Sequence, residues 1–461
     1  MELPHGFSGV SAVLDDPNLV SCGGLVPVLA LAERCGLGGL VAGTLTLKAP
    51  GGVNVQVKVP GVVAGLVAGA DSITDLGLLR HGGMVRLFTG VRAPSTLGTF
   101  LRSFTFGHVR QLDAVAERFL CRLAGHTPLL PGAGQVCFVD VDDTMRETHG
   151  YRKEGAGYGY SGVKGLNVLL GVVSTPIGAP VIAATRLRRG PTNSARGAAR
   201  LITDTLRTAA ACGASGLVIV RADSAYYGPD VIAAAIRGEA RFSVTVRSNP
   251  AVTRAIGSIP ADGWTPIHYP NAVWDDEDQR WVSDAEVAEV PFTAFTSRPK
   301  AEQVTARLIV RRVKRLNPAI HRSGQGELFS LYRHHPVFTD SPMPMLDAEV
   351  CHRRHAIIEQ VIADLKGGPL AHLPSGSFPA NSAWLVLAAI AFNLTRAAGC
   401  LASAFHAKAA TATIRAQLIT VPTRLARSAR RLVLHLPRDW PWQPAAEQLF
   451  TRALHAPPGA R

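Results

Sequence analysis

Hydrophobic residues change their spacing along the chain, and the first change separates an N-terminal region from the rest. In residues 1–130, apolar side chains recur at helical intervals, for example in LVPVLALAERCGL and LDAVAERFLCRLAG. The stretch VNVQVKV at 53–59 is an exception, because its strict alternation is typical of a strand. We therefore predict a mainly helical N-terminal domain over residues 1–130.

From residue 131 the pattern predicts strands that alternate with helices. Three apolar runs separated by short Gly and Pro breaks predict antiparallel strands: QVCFVDVDDT, GLNVLLGVVST (165–175) and APVIAATRL (179–187). A helix, a strand, a second helix and a fifth strand follow: ARGAARLITDTLRTAAACG, GLVIVRAD (216–223), GPDVIAAAIRG and RFSVTVRSN (241–249). This order predicts an α/β fold with a ribonuclease H-like mixed sheet flanked by helices.

The alternation stops at residue 250 and resumes near residue 346. Between these points lie an acidic stretch and two segments that predict antiparallel strands with one basic face: WDDEDQRWVSD, VTARLIVRRVKRL and GELFSLYRHHPVF. The following segment, EVCHRRHAIIEQVIADLKGG at 349–368, predicts a helix that ends at its Gly pair. We therefore interpret 251–345 as a β-rich insertion between the two parts of the α/β domain, 131–250 and 346–400, with a basic helical tail at 401–461.

Charge and cysteine content narrow the class of protein. The chain has 48 Lys+Arg against 34 Asp+Glu, a net charge of +14 that favours a polyanionic partner, either nucleic acid or an anionic membrane. The seven cysteines are scattered without a CxxC pair, which argues against a disulfide framework or a zinc ribbon and favours a reducing cytoplasm. No secretory signal is visible in MELPHGFSG, and the apolar run at 383–394 is too short to span a bilayer. A soluble protein with no membrane partner is expected.

Three basic segments are candidates for DNA contact. The stretch at 92–112 has a Ser-Thr helix start, spaced apolar residues and several Arg, which fits a small DNA-binding helical module or a basic surface helix pair. The clusters at 307–316 and 424–436 fit contacts to phosphates or, individually, solvated faces. Trp264 fits either stacking on a displaced base or closure of a small core.

Carboxylates end two of the predicted strands, where folding alone does not explain them. In VDVDDT, Asp140 and Asp142 alternate on one strand face, and Asp143 points to the other face as an expected surface or capping residue. Asp223 closes a separate buried strand, where an Asx turn is the alternative role. Glu359 lies within the predicted helix at 349–368. Together these positions offer carboxylates from two strands and one helix.

The same helix presents one polar stripe, formed by His352, His355, Glu359 and Lys366. His352, His355 and Glu359 have a spacing that also fits a transition-metal site, although no fourth ligand lies nearby in sequence. Lys366 in the last turn also complements the helix dipole. The stripe therefore allows a role in metal binding, in phosphate contact or in helix stability.

Three carboxylates of this kind suit a pair of divalent metal ions. Phosphodiester cleavage uses two ions about 3.5–4 Å apart, one at the attacking oxygen and one at the leaving oxygen. Hard oxygen ligands with few protein contacts per ion favour Mg²⁺, which retains several waters. A bound cation would also offset the cost of carboxylates at the end of a buried strand.

Five motifs in this order resemble the DDE transposases of bacterial insertion sequences, most nearly the IS1380-type group within the wider IS4-like set: VDVDDT, TRLRRGPTNSA, VRADSAYYGPDVI, FSVTVRSNPAV and IEQVIADLKGG. The resemblance covers roughly residues 130–400. It implies that Asp142, two positions before a Thr, is the first catalytic carboxylate, that Asp223 is the second and that Glu359 is the third. Lys366 matches the family's Lys seven residues later. His352 and His355 stand where the family has Tyr and Arg.

The resemblance implies a transposase that binds the terminal inverted repeats of its element and catalyses DNA cleavage and strand transfer. Asp142, Asp223 and Glu359 would hold two Mg²⁺ ions, with Mn²⁺ able to substitute. The implied partners are double-stranded DNA, both terminal repeats and target, and a second copy of the chain in the DNA complex. The implied location is the cytoplasm, in association with the nucleoid. A ribonuclease H-like nuclease without strand transfer and an inactive transposase-derived DNA-binding protein are the alternatives.

Overall fold

The N-terminal region is mainly helical, as its apolar spacing predicts. The computed structural model describes residues 9–48, 51–150, 152–160, 162–267, 274–275, 280–281, 285–314, 332–428 and 431–455. A short strand, β1 (Leu19–Val20), precedes six helices: α1 (Leu25–Arg34), α2 (Leu37–Thr44), α3 (Val55–Ala68), α4 (Met84–Leu87), α5 (Pro94–Arg102) and α6 (Phe106–His126). The Ser-Thr pair that predicted a helix start lies in the first turn of α5.

The strand predicted at 53–59 is wrong, because this stretch starts helix α3. Val55, Val59, Val62 and Val63 are buried there at helical intervals. Burial of this helical face outweighs the β preference of valine, which depends on its packing context. Alternation over seven residues was too short to distinguish the two structures.

The centre of the molecule is a mixed sheet flanked by helices, as predicted. Its first elements are β2 (Val136–Glu147), β3 (Gly157–Tyr158), β4 (Lys164–Ser174), β5 (Val181–Arg189), α7 (Ala198–Ala211), β6 (Leu217–Ala222), α8 (Pro229–Arg237) and β7 (Arg241–Thr245). The strands lie in the order β5-β4-β2-β6-β7, with β3 also on the outer edge of β4. The pairs β2–β4 and β4–β5 are antiparallel, and β2–β6 and β6–β7 are parallel.

Helices α7 and α8 cover one face of this sheet. At the crossing of α7 and β4, a Cβ added to Gly171 would lie 2.0 Å from Thr205 Oγ1, so the close approach of helix and strand requires glycine there. Thr205 and Gly171 lie on the same face as Val141 and Asp143 of β2, because Gly171 is paired with Val141. The opposite face, which carries Asp140 and Asp142, is left for other helices.

The segment between β7 and the last part of the α/β domain extends the same sheet. It forms α9 (Pro250–Gly257), β8 (Thr265–Ile267), β9 (Trp274–Asp275), β10 (Arg280–Trp281), β11 (Ala285–Ala294), β12 (Val304–Lys314) and β13 (Tyr332–Thr339). Strand β13 pairs with β7, and β12, β11 and β8 follow in antiparallel order. The two predicted strands are therefore present, as β12 and β13, and the rest of the predicted segments, at 315–316 and 326–331, lies outside the described residues. Of the predicted acidic loop, only the pair β9–β10 lies within the described residues.

The helix predicted over 349–368 is broken, which corrects the expectation of one continuous element. Helix α10 (Met345–Arg353) ends in a 3₁₀ turn at Arg354–Ala356, and α11 (Ile357–Lys366) follows. The Cys351 carbonyl accepts a hydrogen bond from Arg221 Nη1 at 2.7 Å, next to the point where the helix tightens. Helix α10 packs on β11 and β12, and α11 packs on β2, on the face opposite α7.

The chain continues with one long apolar helix, α12 (Phe378–Ala402), and then α13 (Ala404–Lys408), α14 (Thr411–Ile414), β14 (Thr423–Ser428), β15 (Arg431–His435) and α15 (Gln443–Leu454). By length and composition α12 suits a membrane span, as does the bent pair α1–α2 if taken as one. However, 94% of the apolar window of α12 is buried inside the protein, which favours the predicted core helix. It packs against α3, α5, α6, β5 and α15.

The C-terminal tail is not simply helical, which corrects that part of the prediction. In β14, the exposed Arg424 stands between the buried Thr423 and Leu425, which is the alternation of a strand, and β14 pairs with β15 and with β1 near the start of the chain. In the basic cluster at 424–436, residues 429–430 lie outside the described part. Arg424 forms an ion pair with Asp16, with 3.4 Å between Nε and Oδ2.

Candidate active site

Two of the predicted catalytic carboxylates stand side by side on neighbouring parallel strands. In the pairing of β2 with β6, Asp140 lies opposite Arg221 and Val141 lies opposite Ala222. Continued by one residue, this register brings Asp142 level with Asp223. Parallel neighbours are about 4.8 Å apart, so both carboxylates leave one face of the sheet, Asp142 from within β2 and Asp223 from the residue after β6.

Asp140, the alternative to Asp142 on this face, forms an ion pair with an arginine. Arg221 Nε and Nη2 each donate to one Asp140 carboxylate oxygen at 2.7 Å. Both side chains are only 1% exposed, and the guanidinium carbon lies 4.1 Å from the centre of the Phe138 ring. This buried ion pair lies two residues before Asp142 and Asp223 on the same face of the sheet. Because both carboxylate oxygens of Asp140 are bound to Arg221, Asp140 is a poor candidate for a metal ligand.

The carboxyl group of Asp142 is largely withdrawn from water and has other carboxylates around it. Burial raises the pKa of its carboxyl to about 7, although a hydrogen bond from the Asp143 backbone N–H at 2.7 Å opposes the rise. The charge of Asp223 raises this pKa further, and so does that of Glu359. The three predicted carboxylates are therefore close enough to interact electrostatically.

Asp223 also has the local role that its position suggested. Its Oδ1 accepts a hydrogen bond from the Ala225 N–H at 2.9 Å and caps the short turn Ser224–Tyr226. One oxygen is thus used to hold the turn, while the other is available to the neighbouring site. The capping and catalytic roles of Asp223 are compatible.

Glu359 and Lys366 lie at the two ends of α11 and on one of its faces. Because the predicted helix is broken, Glu359 stands in the first turn of α11 and not in mid-helix, and it is exposed. Burial and the charge of Arg146 lower the pKa of Lys366, whereas the charge of Asp142 opposes this effect. Lys366 and Asp142 therefore interact electrostatically across the packing of α11 on β2.

The two histidines have different surroundings. The ring nitrogens of His352 are both hydrogen-bonded, Nδ1 to Ser243 Oγ at 2.9 Å and Nε2 to Thr245 Oγ1 at 2.8 Å. Burial lowers the pKa of His352 to about 3, so its ring is neutral near pH 7. The alternative transition-metal site with His352 as a ligand is therefore wrong, because both of its nitrogens already have partners.

His355 lies at the edge of the carboxylate group. Its ring centre is 5.1 Å from that of His352. Burial lowers the pKa of His355, while the charges of Asp140, Asp223 and Glu359 oppose that effect. The residue at the family's Arg position thus faces the site, although burial disfavours its charged form.

Asp143 is not the surface residue that the strand pattern predicted. It is buried on the α7 side of β2, accepts a hydrogen bond from Tyr226 Oη at 2.6 Å and one from Asn167 Nδ2, and lies 3.1 Å from Arg188 Nη2. Arg188 also donates to the carbonyls of Asn193, Ser194 and Arg196. The prediction was wrong because β2 continues to Glu147 and both of its faces are covered. The partners Arg188 and Tyr226 lie within the quoted motifs, which was the available signal.

The basic strand β12 uses its described arginines within the protein. Three ion pairs join it to neighbouring elements: Arg307 with Glu289 at 2.5 Å, Arg311 with Glu349 at 3.2 Å and Arg312 with Glu286 at 2.5 Å. The Arg312 guanidinium also lies 4.0 Å from the centre of the Trp264 ring. Trp264 thus packs within the insertion, and contact between this strand and DNA stays a prediction.

The three carboxylates do not form a closed ligand set for the implied metal pair. Within the part of the chain that the structure describes, no three His, Cys, Asp or Glu side chains converge closely enough to form a metal-binding cluster. Asp142, Asp223 and Glu359 border one site without meeting. Their hard oxygen atoms and the raised pKa of Asp142 nevertheless fit a divalent cation, because such an ion neutralises the charges that now repel one another.

Comparison with known proteins places the chain in a family. The family described as "Transposase DDE domain group 1" matches residues 7–457, nearly the whole chain. No curated protein matches it. The match extends well beyond the motifs at 130–400 and includes the helical N-terminal region. The chain therefore belongs to the DDE transposase family.

Proposed function

We propose that this protein cuts DNA at the terminal inverted repeats of an insertion sequence and joins the freed ends to target DNA. The observation that carries the proposal is the parallel register of β2 and β6, which sets Asp142 level with Asp223 on one face of the sheet. The influence of Glu359 on the pKa of Asp142 adds the third carboxylate of the family to the same site. An assignment to the IS1380-type group rests on the motifs alone.

Asp142, Asp223 and Glu359 would hold two Mg²⁺ ions, or Mn²⁺ in their place. These ions would activate the attacking oxygen and stabilise the leaving oxygen of the phosphodiester. The protein's own residues would hold the reacting groups in position. The Asp140–Arg221 pair links β2 and β6 two residues before Asp142 and Asp223, and Lys366 places a positive charge near Asp142 for the substrate phosphate.

The strand order supports a ribonuclease H-like domain. An antiparallel meander, β2-β4-β5, is extended on its other side by the parallel strands β6 and β7, with helices on both faces. We retain the boundaries at 131–250 and 346–400 for this domain and 251–345 for the insertion. We assign DNA binding to the helical region 1–130 and to the tail at 401–461.

The net charge of +14 favours double-stranded DNA as the partner, and pairing of two element ends implies a homodimer in the DNA complex. Such an enzyme would act in the cytoplasm on the nucleoid. Its two alternatives, a nuclease without strand transfer and an inactive DNA-binding relative, differ from it in measurable products.

The test is cleavage and strand transfer on a duplex that carries the element end, taken from the DNA flanking the coding region. Asp142→Asn, Asp223→Asn and Glu359→Gln should each abolish both reactions, because an amide is a poorer ligand for Mg²⁺ than a carboxylate. DNA binding should persist, since each change removes negative charge that faces phosphate.

Asp230→Asn is the matched control. Asp230 is exposed in the first turn of α8, on the opposite face of the sheet, and its amide variant should keep full activity. Cleavage without joining by the wild-type protein would favour the nuclease, and binding without cleavage would favour the inactive relative. Retained activity in Glu359→Gln would remove Glu359 from the site.

A further inference from the structure

An arginine on β2 lies on the same strand face as Asp142, beyond the carboxylates. Side chains alternate along a strand, so Asp142, Thr144 and Arg146 leave the same face. Arg146 is four residues from Asp142, or about 13 Å along the strand at roughly 3.3 Å per residue. The face of β2 that carries Asp142 therefore continues to Arg146, near the C-terminal end of the strand.

The guanidinium of Arg146 is held by one hydrogen bond, and its other N–H groups have no hydrogen-bond acceptor among the described residues. Its Nη2 donates to the Ala371 carbonyl at 2.6 Å. Its Nε is buried without a hydrogen-bond partner, one of three such side-chain atoms in the described part of the chain. This Nε is closed to solvent, so contact with an external phosphate must use the remaining N–H groups of the guanidinium, on Nη1 and Nη2. The side chain as a whole is only partly buried.

Two lysines lie next to Arg146. Helix α11, which carries Lys366, packs on β2, which carries Arg146, and the charge of Arg146 contributes to lowering the pKa of Lys366. Lys153 Nζ donates to the Leu373 carbonyl, two residues beyond the carbonyl that holds Arg146. Among the described residues, no carboxylate forms an ion pair with Lys153, Arg146 or Lys366. Lys366 is exposed, and Arg146 and Lys153 are partly exposed, so all three cations can accept an external anion.

We propose that Lys366, Arg146 and Lys153 form a phosphate strip that binds the backbone of the DNA strand as it leaves the Asp142–Asp223 site. The strip begins at the family's Lys and adds two residues that the motifs do not include. Arg146 is the central contact, since a guanidinium with free N–H groups can bind a phosphate through two hydrogen bonds. Because it names the path of the substrate strand, this inference rests on the proposed function.

The test combines protein variants with neutral linkages in the DNA. A single methylphosphonate, which lacks the phosphate charge, is placed in turn at each linkage on both sides of the cleavage position. For the wild-type protein, one linkage beyond the cleaved phosphate should weaken binding when it is neutral. Arg146→Gln should bind the unmodified duplex more weakly and lose sensitivity at that linkage alone. Its slope of log affinity against log salt should be shallower by about 0.9, as for one lost phosphate contact.

Arg237→Gln is the control, because Arg237 is exposed at the end of α8 on the opposite face of the sheet and should keep the wild-type slope and linkage pattern. Thermal unfolding of each variant checks the fold, and Lys153→Gln provides a second probe if Arg146→Gln is unstable. An Arg146→Gln protein that is folded and keeps the wild-type slope and linkage pattern overturns the strip. A wild-type protein that neither binds nor cuts the duplex contradicts the proposed function instead.

Discussion

The raised pKa of Asp142 predicts that a change which abolishes catalysis also stabilises the metal-free protein. The pKa of this carboxyl rises from its ordinary value of 3.8 to about 7. At about 1.4 kcal/mol for each tenfold change in the acid constant, ionised Asp142 would cost the folded state roughly 4 kcal/mol. Because the side chain is partly exposed, we expect Asp142→Asn to recover about 1–3 kcal/mol of that cost above pH 7.

The sign of the pH dependence follows from the two pKa values. Between pH 3.8 and about 7, the unfolded chain has released the Asp142 proton while the folded protein retains it. The wild-type protein therefore loses stability as the pH rises through this window, and asparagine does not titrate. The advantage of Asp142→Asn should be fully present at about pH 8 and should fall by more than half at about pH 5.

Urea unfolding in the presence of a chelator measures this difference, with Asp230→Asn as the exposed control. Added Mg²⁺ should stabilise the wild-type protein and close the gap, since the ion binds the carboxylate better than the amide. An Asp142→Asn protein that unfolds at lower urea than wild type at about pH 8 would refute the reasoning. So would an equal gain at both pH values, because that result would separate the effect from ionisation.

Three further changes test the surroundings of the site. Arg221→Ala should lower the free energy of unfolding by about 3–5 kcal/mol, because it leaves Asp140 buried without its partner; adding Asp140→Asn should restore much of the loss in urea unfolding. Asp143→Asn should destabilise the protein, since it weakens the contact with Arg188, and an unchanged urea midpoint would contradict this buried role. His355→Arg should keep or raise cleavage near neutral pH, where burial leaves the imidazole neutral; a large loss of rate would indicate packing instead.

The sequence predicted the sheet and its two aspartates for a physical reason. Continuous apolar runs such as those of β2 and β6 are typical of strands buried on both faces, and a carboxylate that ends such a run is hard to explain by folding. The resemblance then selected Asp142 over Asp140. The register of β2 and β6 agrees with that choice, since Arg221 occupies Asp140.

The wrong predictions for Asp143, for the helix at 349–368 and for residues 53–59 share one cause. In each case a contact with a residue or element far along the chain decides the structure. Asp143 contacts Tyr226, 83 residues away, and nothing local distinguishes it from a surface residue. The break between α10 and α11 occurs where Arg221 reaches Cys351, 130 residues away. In α3, burial against other helices decided between two structures that both fitted the local pattern. Local spacing predicts elements well, but it does not contain these long-range contacts.

The late position of α12 has a consequence for synthesis of the protein on the ribosome. Helices α3, α5 and α6 bury their apolar sides against α12, which ends at Ala402. Nascent chains fold from the N-terminus as they emerge, and apolar surface without its partner favours aggregation. The apolar sides of these helices therefore stay without their packing partner until most of the chain has been translated. A gene copy interrupted before the codons of α12 would yield a chain that lacks the centre of its own N-terminal region.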